Sequence, residues 1–272
     1  MQINLSSFVI LAIMGLLPSI IWLAFYLHED VKPEPKRLVL WVFVVGMISA
    51  FAAAILEVNV ACFILPSECA QTSGQVMNAL KEVTTPVFLF FNFFGIAFIE
   101  EIVKYLAVFF TVLRKRDFDE PIDAMIYMII AALGFAAVEN VSTVNYLAGH
   151  RAQFHDITAV LTLRFLGATF LHTLSSGMVG YALARAFFSK KSHFILLIPG
   201  VAIATLVHGL YNIFVGITAE TELGSENFNY FFRSIILLLV VSAAGLFVLI
   251  QHLHRLSRNH NFVNLGDHAQ ES

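Results

Sequence analysis

Glu100 and Glu101 lie side by side in VFLFFNFFGIAFIEEIVKYLAVFFTVL, a run otherwise apolar enough for lipid, and Lys104 follows one turn later. A charge at the centre of a bilayer costs roughly 2.5–3.5 kcal/mol on insertion scales, so ionisable residues there serve a purpose. Glu139, His172 and His208 carry the same cost in three further apolar runs. On a helix Lys104 is i+4 from Glu100 and i+3 from Glu101, so one ammonium reaches either carboxylate. A neutralising ion pair that merely lets the helix insert leaves one glutamate over. Adjacent helical residues point about 100° apart, which gives the two carboxylates distinct roles. Glutamate and histidine serve as general acids and bases and as zinc ligands, and intramembrane Glu, Lys and His also form proton relays.

The elements that must position these residues are membrane helices. Hydrophobic residues make up 58% of the 272 and charged residues only 13%, about half the charged share of a soluble domain. Seven apolar runs reach the ~18 residues needed to cross a bilayer as helix, near 5–27, 38–60, 86–113, 121–147, 157–185, 194–217 and 230–253. The predicted fold is an all-α, polytopic transmembrane bundle of about seven helices in a single membrane domain, residues 1–272. Basic residues collect in alternate connections (Lys32, Lys36, Arg37; Arg114, Lys115, Arg116; Lys190, Lys191) and in the tail with Arg255 and Arg258. The positive-inside rule then predicts an outside amino terminus and a cytoplasmic carboxyl terminus. The start MQINLSS lacks a basic region and no small-residue cleavage site follows, so the first run is expected to stay as a helix. Cys62 and Cys69 fall in the outer connection, where an oxidising compartment permits a disulfide. Two unpaired thiols are the alternative.

Depth along the helices brings the costly residues together. At about 1.5 Å per residue, Glu101, His172 and His208 lie roughly 18, 20 and 21 Å from the cytoplasmic ends of their runs, and Glu139 roughly 27 Å. A shared depth on four helices is what a common site requires. His172 has Ser175 and Ser176 one turn on, and His208 has Tyr211 and Asn212, so each imidazole has a hydroxyl or amide to hold it, Asn212 acting as a supporting residue. Glu57 and Asp123 read as interfacial. Arg164 either snorkels to the interface or faces the site two turns before His172.

Several chemistries find no motif. HExxH, GxSG and GxGD are missing, as are a phosphate-binding glycine loop and a basic, aromatic nucleic-acid surface. EEIVK at 100–104, EPIDAMIYMIIAALGFAAVEN at 120–140, HTLSSGMVGYALA from His172 and HGLYN from His208 resemble the PrsW family of intramembrane proteases, which is distantly similar to the CAAX-processing and bacteriocin-processing membrane proteases. The resemblance covers residues 86–217. Glu100, Glu101, Phe135, Glu139, His172 and His208 match the family pattern, Lys104 fills the last place of EExxK, and Ala124 stands where relatives often have glycine.

The resemblance implies an intramembrane endopeptidase in the bacterial inner (cell) membrane. Its partners would be the bilayer and a membrane-anchored regulatory protein of the anti-sigma-factor kind. On one mechanism Glu100 or Glu101 activates water, Lys104 keeps the other ionised, Glu139 orients the water, and His172 and His208 stabilise the oxyanion without a cofactor. On the other, Glu139, His172 and His208 bind a divalent metal such as zinc and leave a position for water. The first is preferred because no carboxylate stands near either histidine in sequence. A proton-coupled transporter or channel using the same residues as a relay is the alternative function, although it leaves the ordered motifs unexplained.

Overall fold

A computed structural model describes residues 5–29, 34–66, 85–113, 115, 118, 120–189 and 192–270. Regular structure among them is entirely helical. Seven helices are long and apolar enough to span a membrane: α1 (Leu5–Glu29), α2 (Lys36–Ile64), α3 (Thr85–Thr111), α4 (Asp123–Gly149), α5 (Phe154–Phe188), α6 (His193–Glu220) and α7 (Glu226–Gln270). The last continues well past the apolar run that predicts it. Cys62 lies in the last turns of α2, whereas Cys69, its expected partner, falls outside the described residues.

α4 is the central helix, buried on most of its circumference from Ala124 to Ala137 and packed against α1, α2 and α5. Small residues make this possible. A Cβ on Gly134 would meet the Phe43 carbonyl oxygen at 2.1 Å, and one on Gly46 would meet that of Ala131 at 2.3 Å. α2 and α4 thus cross through a reciprocal glycine contact in which each backbone occupies the space of the other's missing side chain. On the other side, a Cβ on Gly180 of α5 would lie 2.7 Å from the Ala124 carbonyl. Around this core α1 and α7 turn apolar rows outward, including Ile10, Ile13 and Leu17 on α1 and Leu237, Val240 and Phe247 on α7. Lipid is the solvent those rows require.

Two helices are interrupted by π-helical turns, Phe91–Ala97 in α3 and Phe165–Thr169 in α5. Each lies just before the residues that carry chemistry. A π turn accommodates one extra residue and disturbs the local carbonyl ladder. A side-chain to backbone hydrogen bond ties each interruption to a neighbouring helix. The Trp22 indole N–H donates to the Phe165 carbonyl at 3.0 Å, while its ring stacks on Phe165 and Phe170. The Asn92 amide, within the first π turn, donates to the Gly209 carbonyl of α6 at 2.9 Å.

Candidate active site

Glu100, Glu101, Lys104, Glu139, His172 and His208, on four helices, form one connected polar cluster. Lys104 is its hub. The fully buried ammonium lies 3.0 Å from Glu101 Oε1, 3.4 Å from Glu100 Oε2 and 2.8 Å from His172 Nδ1. Its three protons thus have three acceptors. The Phe135 ring lies 4.3 Å beneath it and also packs against the His172 imidazole at 5.5 Å. Phe135 and Glu139 share a face of α4 at i,i+4, so their spacing in the sequence puts the ring and the carboxylate on the side that meets Lys104 and His172.

The two adjacent glutamates have opposite environments. Glu101, wholly inaccessible, accepts from Lys104 Nζ, Ser175 Oγ and His208 Nδ1 at 3.0 Å each on Oε1, and from Ser176 Oγ at 2.9 Å on Oε2. Four donors commit it as an acceptor. Glu100 has only the longer contact to Lys104 and faces two imidazole nitrogens, His172 Nδ1 at 3.9 Å, which Lys104 occupies, and His208 Nε2 at 3.7 Å. Of the two, Glu100 keeps spare acceptor capacity.

The partners also assign the histidine tautomers. Glu101 can only accept, so His208 Nδ1 carries the proton and Nε2 presents a lone pair towards Glu100. Lys104 donates to His172 Nδ1, so the His172 proton sits on Nε2, which donates to Glu139 Oε2 at 2.8 Å. The inward nitrogens are therefore acceptors or ligands. They do not suit the oxyanion donors expected of them, and Lys104 is the N–H donor that faces inward.

Two further expectations change. Ser175 and Ser176 bind Glu101 rather than the imidazoles, and half-buried Asn212 stays outside this hydrogen-bond network. The carboxylates thought to be missing are present: Glu139 backs His172 and Glu101 backs His208, each arriving from another helix. Glu139 lies on the far side of His172 from the centre. The three groups whose donor atoms converge, all within 4.8 Å of one another, are Glu100, His172 and His208.

In the outer ring, sequence reasoning leaves Arg164 open between interface and site, reads Glu57 as interfacial and passes over Asn140 and Thr169. Arg164 turns inward, with Nη2 3.2 Å from Glu139 Oε2, and its Nε donates to Asn140 Oδ1. Asn140 donates in turn to Thr169 Oγ1 at 3.0 Å. Glu57, on the same face of α2 as buried Ala53, lies within electrostatic range of Glu139 and Lys104. The only sign of these in sequence is polarity inside an apolar run.

A bundle of membrane-crossing helices enclosing carboxylates, imidazoles and an ammonium defines a multi-pass membrane protein with a buried acid–base site. The family model described as PrsW family intramembrane metalloprotease matches residues 34–247, and the chain belongs to that family. Protease PrsW of Geobacillus kaustophilus is 27% identical over 199 residues, covering 73% of this chain and 76% of its own. Protease PrsW of Bacillus subtilis is 26% identical over 200 residues, covering 73% and 79%. No solved structure matches the chain. The protein is an intramembrane protease of the bacterial multi-pass kind.

Proposed function

We propose that the protein hydrolyses a peptide bond of a membrane-anchored regulatory protein, of the anti-sigma-factor class to which the family resemblance points. The reaction is placed at Glu100, with a divalent cation such as zinc held by Glu100, His172 Nδ1 and His208 Nε2. The observation that carries this reading is the convergence of those three donors, with each imidazole's other nitrogen bonded to a carboxylate. Such backing fixes the tautomer and raises ligand basicity at metal sites. The charge balance agrees, since Glu100, Glu101 and Glu139 outnumber Lys104 and Arg164 in a low-dielectric interior. The fit requires Lys104 to release His172 Nδ1 while keeping Glu101.

An ion bound there would supply Lewis acidity for the scissile carbonyl and an acidified water. The chain's own groups do the rest. Glu101, held by Ser175 and Ser176, locks His208, and Glu139 locks His172. Lys104, freed from His172, can donate towards developing negative charge on a substrate oxygen. The surrounding apolar packing excludes bulk water and strengthens each of these interactions.

The test has two arms. Comparing the membrane proteome of cells with and without the chain should reveal a shortened single-pass regulator. Purified protein should contain about one equivalent of zinc or another divalent ion, and a strong chelator should abolish cleavage reversibly. Full activity after metal removal would return the mechanism to Glu100 acting alone as base.

A further inference from the structure

We infer that Arg164 is a positioning residue of the active site, brought there by the π turn of α5, and that it acts by aiming Glu139 at His172. The inference rests on the protease reading but on separate observations. Arg164 Nη2 and His172 Nε2 contact the same oxygen, Glu139 Oε2, at 3.2 and 2.8 Å. On an uninterrupted α-helix, at about 100° per residue, positions 164 and 172 would point about 80° apart. The turn Phe165–Thr169 lies between them, and absorbing one residue there reduces the offset to about 20°. Only with that correction do both side chains face one carboxylate on α4.

The brace is closed by Asn140. It accepts from Arg164 Nε on one side of the π turn and donates to Thr169 Oγ1 at its other end. Thr169 and Asn140 are both fully buried. An arginine near a membrane interface ordinarily extends its head to water, whereas this one is turned into the protein with its side chain 22% exposed. Glu139 is the most accessible carboxylate of the cluster, 31% exposed against 5% or less for Glu100 and Glu101. It is therefore the one that needs an external restraint. Without Arg164, Glu139 can turn towards its open side. His172 Nε2–H then loses its fixed acceptor, and the ring's aim towards Glu100 rests on Lys104 alone. Arg164 touches no reacting atom.

The test uses full-length protein in lipid nanodiscs and a fluorescent single-pass reporter that the wild type cleaves. Arg164→Met should lower kcat roughly 10–100-fold, the range for outer-shell partners of an active-site histidine, with KM unchanged. Arg164→Lys should recover most of that loss. In a Glu139→Gln background, Arg164→Met should add nothing, since the effect runs through Glu139. Nitrogen NMR on 15N-histidine-labelled protein, with His172 assigned by its loss in His172→Asn, should show a slowly exchanging, hydrogen-bonded Nε2–H in the wild type and a shifted, faster-exchanging one in Arg164→Met, the proton staying on Nε2 because Lys104 still donates to Nδ1. Additive losses, an unchanged kcat or an unchanged His172 Nε2–H signal in a folded Arg164→Met protein would each overturn the inference. A wild type that cleaves no reporter would count against the protease reading alone, and the NMR arm would still decide the role of Arg164.

Discussion

Lys104 donates to Nδ1 of His172 across 2.8 Å, so the ammonium of the EExxK turn occupies the face of the imidazole that points at Glu100. The lysine both neutralises Glu101 and occupies a nitrogen that the proposed cation would need. Its removal acts on folding as well as on chemistry.

Lys104→Met should be strongly destabilising, because it leaves the buried Glu101 without its cation. Breaking a buried pair costs about 3–5 kcal/mol, readable as a lowered unfolding midpoint in detergent. Lys104→Arg should not restore it, since a planar guanidinium cannot present three protons tetrahedrally to Glu100, Glu101 and His172. A Lys104→Met protein as stable as wild type would contradict the hub role.

The two glutamates should separate cleanly. Glu100→Gln should abolish cleavage with little change in unfolding midpoint, because Glu100 has only one long hydrogen bond. Glu101→Gln should lower stability by about 1–3 kcal/mol, as an amide offers a single acceptor oxygen where four donors need two. Parallel unfolding and reporter-cleavage measurements on the two variants decide this. Equal stability losses would refute the division of roles.

Metal content should follow the converging donors. His208→Ala and Glu100→Ala should each lose the bound ion by elemental analysis. Glu139→Gln should keep it with roughly 10–100-fold weaker affinity, because Glu139 backs His172 from outside. If Glu139→Gln loses the ion outright while Glu100→Ala retains it, Glu139 is the ligand and Glu100 the base.

The glycine crossing should be sensitive to one methyl group. Gly134→Ala places a Cβ 2.1 Å from the Phe43 carbonyl oxygen, so α2 and α4 must separate, at a cost of about 1–3 kcal/mol. Phe135 and Glu139 sit on the displaced helix, and cleavage should fall with stability. A neutral result in both assays would mean that the crossing is not close packed.

Orientation is testable independently. With Cys62 and Cys69 replaced, single cysteines in connection 218–229 should react with an impermeant reagent from outside, and those in 114–120 should not, as the Lys/Arg asymmetry predicts. The reverse pattern would invert the bundle.

What the sequence by itself determined was the list of parts. Insertion energy is nearly a sum over residues, so seven spans and the costly Glu100, Glu101, Lys104, Glu139, His172 and His208 stand out without coordinates. Depth, at a fixed rise per residue, even brings them to one level. Rotation about each helix axis is not a local property. It was set by the Gly46–Gly134 contact and by two π turns, which shift the facing of everything beyond them and leave no trace in hydrophobic period. Hence only the tertiary structure decided that Glu101 is saturated while Glu100 is open, that carboxylates from other helices stand behind both histidines, and that Arg164 points inward. Hydrogen bonds are short-ranged and directional, so who donates to whom emerges only when helices distant in sequence are locked side by side.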